Sequence, residues 1–158
     1  MQADPQSTDH ALVSARPTGC DRLIRFYETL TPDTLAEIEQ VYHPQAHFKD
    51  PFNTVNGTDA IRRIFEHMFS TVGSPRFRVT EHVQQGTETF LVWNFSFERG
   101  GPARTTLTIH GVSHVRFHAD GRVIMHRDYW DPAEELYEKL PMLGGLMRWL
   151  KARLKAQS

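Results

Sequence analysis

The apolar positions fall into two regimes: helical spacing up to Val72, and alternation of apolar with polar residues after Pro75. Leu23, Ile24, Phe26, Tyr27 and Leu30 recur at helical spacing behind Asp21, a residue of the capping type, which predicts a first helix ending near Leu30. Thr31-Pro32-Asp33 breaks it, and Leu35, Ile38, Val41 and Tyr42 predict a second helix that Pro44 stops. The run Ala46 to Asp50 alternates, and Pro51 pushes Asp50 toward extended backbone, so a short strand ends there. Thr58 or Asp59 then caps a third helix with the stripe Ile61, Ile64, Phe65, Met68, Phe69 and Val72, closed by Gly73 and Pro75.

Beyond Pro75 the period is two. Phe77, Val79, Glu81 and Val83 form one alternating run; Leu91, Trp93, Phe95 and Phe97 a second; Leu107, Ile109, Gly111, Ser113, Val115 and Phe117 a third. Asp120-Gly121 supplies the positive φ of a hairpin turn, and Val123 to Trp130 returns as the last strand. Three helices ahead of a strongly bent antiparallel sheet predict an α+β domain with helices covering one sheet face.

Composition narrows the function classes. A chain of 158 residues with 39% hydrophobic residues suffices for one domain with a core. A formal net charge of -1 gives no general attraction to nucleic acid, and none is expected as a partner. The single Cys20 excludes an intramolecular disulfide and argues against thiolate metal sites. Residues 1–20 mix polar residues and proline without periodicity and read as a disordered arm. They lack the apolar run of a signal peptide, and no stretch approaches the ~18 apolar residues of a membrane span, so the expectation is a cytoplasmic protein.

The candidate chemistry sits at two strand ends. Asp50, between Phe48 and Phe52, is either an acid perturbed by aromatic surroundings or an anchor that accepts hydrogen bonds from the turn after it. In Met125-His126-Arg127-Asp128-Tyr129-Trp130 the alternation puts His126, Asp128 and Trp130 on one face and Arg127 and Tyr129 on the other. Two carboxylates in one apolar pocket drive their affinities for a proton apart, leaving one a base and the other an acid. His126 then orients Asp128 or relays protons. Asp128 has a structural alternative, as the partner of a buried arginine or of His126. No metal is expected: His110 and His114, four apart on a strand, are separated by roughly 13 Å, and His43 and His47 straddle Pro44.

The string Ala46-x-Phe48-x-Asp50-Pro51-Phe52 with Gly57-x-x-x-Ile61 before a helix resembles the nuclear transport factor 2-like superfamily, and within it ketosteroid isomerase and the SnoaL-like polyketide cyclases. The resemblance spans about residues 21–132. It implies a cone, in which a curved sheet wraps an apolar pocket, helices close one side, and the outer sheet face supports a homodimer. Asp50 stands at the position of the isomerase base. An ungapped count puts Phe26 at the position of the isomerase's pocket tyrosine, with Tyr27 one residue off, and Ser113 at that of its protonated acid; serine has no comparable acidity. Arg127-Asp128-Tyr129-Trp130-Asp131 is similar to the last strand of limonene epoxide hydrolase, whose Asp activates water, although Trp93-Asn94-Phe95-Ser96 lacks that enzyme's partner residues. The SnoaL-like cyclases carry an acid-base Asp on the same strand.

The expected site is therefore catalytic Asp128, Asp50 and His126, with Trp130, Ser113, Phe48, Phe52, Tyr27 and Trp93 against a small hydrophobic molecule. Neither cofactor nor metal is required for isomerisation, cyclisation or hydration of that kind. The alternative is a non-catalytic ligand carrier or interaction module of the same fold. After the cone domain, residues 133–158 are expected to form an amphipathic helix with the stripe Leu143, Leu146, Met147, Leu150 and Leu154 and the cations Arg148, Lys151, Arg153 and Lys155. Packing across the open end of the cone is the expected role, with contact to an anionic membrane the alternative.

Overall fold

The computed structural model describes residues 18–99 and 105–135. Their order is α1 (Gly19–Glu28), a 3₁₀ turn (Thr34–Glu37), α2 (Ile38–Val41), β1 (Tyr42–Lys49), β2 (Thr54–Asn56), α3 (Thr58–Thr71), β3 (Gly73–Gln85), β4 (Glu88–Arg99), β5 (Thr105–Phe117), β6 (Val123–Tyr129) and the single turn α4 (Pro132–Glu135). The fold is α+β, as expected. Six strands form one curved, unclosed sheet in the order β2-β1-β6-β5-β4-β3, antiparallel except where β1 runs parallel to β6. Leu23, Phe26 and Tyr27 of α1 and Ile61 and Phe65 of α3 pack with the inner sheet residues Phe48, Leu91, Trp93, Val115 and Val123 in one core. Most of the expected amphipathic helix lies outside the described residues.

The departures from the expected boundaries have local causes. Thr18, not Asp21, caps α1: the Thr18 hydroxyl accepts from the Asp21 N–H at 3.1 Å and the Asp21 carboxylate accepts from the Thr18 N–H at 2.9 Å, a capping box that starts the helix at Gly19. Cys20 is consequently buried in the core. The second helix shrinks to the 3₁₀ turn and the four residues of α2, and Tyr42 already belongs to β1. Pro44 lies inside β1, where pairing with β6 is interrupted between Tyr42 and His47 and β2 does not reach, so its missing N–H costs no ladder bond. The cap of α3 is Gly57 at φ 85°, which makes no side-chain bond; its N–H donates instead to the Ala46 carbonyl at 2.8 Å. Asp120-Gly121 forms the expected turn, with Gly121 at φ 80°.

One residue of β3 breaks the alternation. The register passes from Val79 opposite Trp93 to Glu81 opposite Val92, so Thr80 is an extra residue and the faces exchange beyond it. Val83, which the alternating run places on the same face as Phe77 and Val79, therefore lies opposite Phe90 on the outer face, where the two are 69% and 46% exposed. Tyr129 on β6 is 48% exposed.

Candidate active site

The alternation of β6 is as the sequence implies: His126 is buried, Arg127 exposed, Asp128 half-buried and Tyr129 exposed. The antiparallel ladder sets Ser113 of β5 directly opposite Asp128, so their side chains share the inner face. Trp93 of β4 is paired with Gly111, and that glycine makes room for the indole: a Cβ on Gly111 would come within 2.4 Å of the ring. Lying across Gly111, Trp93 reaches the next inward residue of β5 and donates its Nε1–H to the Ser113 hydroxyl at 2.8 Å. Phe48, the parallel-ladder partner of His126, holds the imidazole with ring centroids 5.0 Å apart.

A chain of hydrogen bonds joins these elements. Indole N–H can only donate, so Ser113 accepts from Trp93 and donates its own proton to Asp128 Oδ1 at 2.5 Å. On the other side His126 Nε2 is 2.8 Å from the same oxygen and Nδ1 is 2.9 Å from the Tyr42 hydroxyl. A neutral imidazole with its proton on Nε2 satisfies both contacts, donating to Asp128 and accepting from Tyr42. Tyr42 in turn accepts from Tyr27 at 2.7 Å. Burial pushes the Tyr27 phenol well up, helped by Tyr42 and the charge of Asp128, and burial likewise raises that of Tyr42. Both phenols therefore stay neutral donors, and the two arms converge on one carboxylate oxygen.

That convergence leaves Asp128 Oδ2 without a hydrogen bond among the described residues. Among the described residues no lysine or arginine forms an ion pair with the group, whose one such contact is with His126, and the Asp128 side chain is 16% exposed. Asp128 borders two spaces. One is an interior cavity of about 10 Å³, lined also by Tyr27, Phe77, Leu91, Trp93 and Ser113, which has room for about one water molecule. The other is an open cleft of about 560 Å³ whose walls include Lys49, Asp50, Arg127 and Trp130.

The expected site residues thus divide into three groups. Tyr27, Trp93, Ser113 and Asp128 meet at the interior cavity, with His126 and Phe48 packed behind them. Trp130 follows the end of β6 and lines the outer cleft instead of the interior. Phe52, 57% exposed, contacts the Trp130 ring edge-on at 5.4 Å. Asp50 shares the cleft with Asp128, but its carboxylate is engaged in the following turn: Oδ1 accepts from the N–H groups of Phe52 at 2.7 Å and Asn53 at 2.6 Å, and the Asn53 amide reaches both oxygens. This is the turn-anchor geometry.

Tyr42 is the member of the network that the sequence pattern did not single out, because it fell on the apolar stripe of the second helix. A buried tyrosine needs a partner for its hydroxyl, and that requirement was the available signal. Tyr42→Phe is expected to leave His126 Nδ1 and the Tyr27 hydroxyl unpaired and to cost about 1–3 kcal/mol in urea unfolding. An unchanged unfolding midpoint would show that the bridge contributes nothing.

Residues 23–126, more than half of the chain, match the SnoaL-like domain model, and the chain belongs to that family. Solved structures agree in fold. A putative SnoaL-like polyketide cyclase from Shewanella putrefaciens CN-32 superposes with a TM-score of 0.66 at 16% identity, covering 78% of this chain and 96% of that one. A hypothetical protein with a ketosteroid isomerase-like fold from Catenulispora acidiphila DSM 44928, in complex with trimethylamine, gives 0.63 at 13% identity, with 76% and 90% covered. TerC co-crystallised with polyporic acid gives 0.63 at 17% identity, with 73% and 93% covered. No functionally curated protein matches the sequence. Among the described residues no helix is long and apolar enough to cross a membrane.

Proposed function

We propose that the protein is an acid-base catalyst, acting without metal or organic cofactor on a small hydrophobic carbonyl compound, with Asp128 as the group that takes and returns the proton. The observation that carries this reading is a carboxylate that borders the cavity and the cleft and whose hydrogen bonds all end on Oδ1, with no lysine or arginine among the described residues to neutralise it. Oδ2 removes a proton from carbon next to the carbonyl, and the resulting enolate is reprotonated by Asp128 at another carbon or attacks a second carbonyl within the same molecule. The first outcome is an isomerisation and the second an aldol-type cyclisation. His126 and Ser113 hold the carboxylate against rotation, and Asp50 shapes the cleft by fixing the turn between β1 and β2. The likeness to a putative polyketide cyclase and to a protein crystallised with polyporic acid supports a carbonyl-bearing substrate class.

The test is solvent deuterium exchange into a panel of small cyclic diketones, followed by proton NMR. Exchange at the carbon next to the carbonyl is expected with the wild type and is expected to fall by about 10²–10⁴ in Asp128→Asn. Equal exchange in the two proteins, or none with any member of the panel, would contradict the proposal.

A second reading, an interaction module, is favoured by the narrowness of the interior cavity and by the exposed Val83, Phe90 and Tyr129 on the outer sheet face. In either reading a homodimer is proposed through the outer sheet face, where Val83, Phe90 and Tyr129 are exposed and Val83 pairs with Phe90. Phe90→Glu is expected to halve the mass measured by light scattering with little change in unfolding. An unaltered mass would remove that face from the interface.

A further inference from the structure

A separate cluster lies away from Asp128. His43, the second residue of β1, meets His118 and Asp120 in the turn between β5 and β6. One ligating atom from each lies within 4.8 Å of the other two. The imidazoles are packed with centroids 4.5 Å apart, and His118 Nδ1 is 3.2 Å from Asp120 Oδ1. We propose that His43, His118 and Asp120 bind a divalent transition-metal ion of the zinc class, which fastens the start of β1 to the β5–β6 hairpin.

Two imidazoles and one carboxylate form a donor set suited to zinc, cobalt or nickel, with water completing the coordination. Ligating atoms around such an ion stand roughly 3–3.5 Å apart at bond lengths near 2.0–2.1 Å, so the cluster closes by small side-chain rotations. Those rotations are available to the imidazoles, since His118 is exposed and His43 is half-buried. Arg122 orients the carboxylate, donating to Oδ2 through Nε at 2.9 Å and through its terminal nitrogen at 2.7 Å, while Oδ1 accepts from the Arg122 N–H at 2.9 Å and keeps a lone pair on the side of His118, whose Nδ1 is 3.2 Å away. An outer hydrogen-bonding partner of this kind commonly fixes a metal-ligating carboxylate. Arg122 also holds the Asp120 carboxyl well below the usual carboxylate range, so the ligand is ionised throughout the working range. Opposing the ion are the guanidinium charge and two backbone hydrogen bonds to the imidazoles, from the Gln45 N–H to His43 Nδ1 at 3.2 Å and from the Asp120 N–H to His118 Nδ1 at 3.4 Å, which are exchanged or bypassed through Nε2 on binding.

The place of the cluster limits its role. β1 and β6 run parallel, with Tyr42 opposite Val123 at one end and Lys49 opposite Arg127 at the other. The cluster is at the first end and Asp128 near the second, about 16 Å along the strand. An ion there does not touch the reacting centre; it stabilises the sheet by binding the folded state alone.

The test is calorimetric titration of the tag-free full chain with zinc chloride at pH 7.5, beside His43→Ala, His118→Ala and a control, His67→Ala, on α3. One ion per chain is expected, with each cluster variant weakening binding at least tenfold and the control leaving it unchanged. At a hundredfold excess over Kd the wild type is expected to melt about 5 °C or more higher, a rise absent from His118→Ala. The inference is overturned by the absence of saturable binding below millimolar zinc. It is equally overturned by binding that survives in both cluster variants or falls as much in His67→Ala. Melting of each variant without metal confirms that it is folded.

Discussion

Gly111→Ala is expected to destabilise the protein by about 1–3 kcal/mol, against the usual sign for a glycine in a strand. At a position with ordinary backbone angles, replacing glycine by alanine stabilises by about 0.4–1 kcal/mol, because it restricts the unfolded chain. Gly111 is not among the glycines with positive φ, so the backbone accepts the change. The obstacle is the Trp93 ring, which three contacts of 2.4, 2.5 and 2.9 Å place where the methyl group must go. Those ring atoms are not the flexible end of a long side chain, so the indole has to leave its seat and overpacking decides the sign. Displacing Trp93 also breaks its bond to Ser113, which removes one of the two arms that hold Asp128. Urea unfolding together with tryptophan fluorescence would register both effects. A rise in stability would mean that the ring moves at no cost and that Gly111 has no part in placing the site. Combining Gly111→Ala with Trp93→Phe should recover part of the loss, since the smaller ring vacates the contact.

The long strands and the β5–β6 hairpin were legible because long alternating runs bounded by Gly and Pro leave few alternatives, whereas the short β2 and the parallel pairing of β1 with β6 carry no such pattern. Phe77 to Val79, Leu91 to Phe97 and Leu107 to Phe117 are all strands, and Asp120-Gly121 is a turn. Asp128 and His126 were legible as an inward pair on β6 for the same reason. Less readable were features in which one residue outweighs a pattern. Thr80 shifts the register of β3 and sends Val83 outward, and nothing in a string of alternating residues announces a bulge. Tyr42 reads equally well as helix or strand, and its hydroxyl acquires a role only when Tyr27 and His126 arrive from elsewhere in the chain. Asp50 allowed two readings from sequence, and the geometry shows its oxygens engaged by Phe52 and Asn53. Trp130 kept the parity of the inner face but lies past the end of the strand, where parity no longer fixes direction.

Asp128→Asn is expected to slow proton transfer by orders of magnitude while sparing the fold. The asparagine carbonyl oxygen can occupy the place of Oδ1 and accept from both Ser113 and His126, and the amide takes the place of Oδ2, which has no hydrogen bond among the described residues. Among the described residues no arginine or lysine is left unpaired by the change, so no penalty for stranding a buried cation arises from them. Removing a half-buried charge also relieves its desolvation, and groups retained for function are commonly held at a cost to stability. The expected change in unfolding free energy is therefore between a loss of about 1 kcal/mol and a gain, while turnover falls by about 10²–10⁴.

On this account Asp128 is reserved for a ligand and does not hold the domain together. Urea unfolding of Asp128→Asn beside the wild type tests it without knowledge of the substrate. A midpoint that is unchanged or higher, with the same slope, is the expected result. A loss of about 3 kcal/mol or more would show that the carboxylate is a structural partner of His126 and would contradict the catalytic assignment.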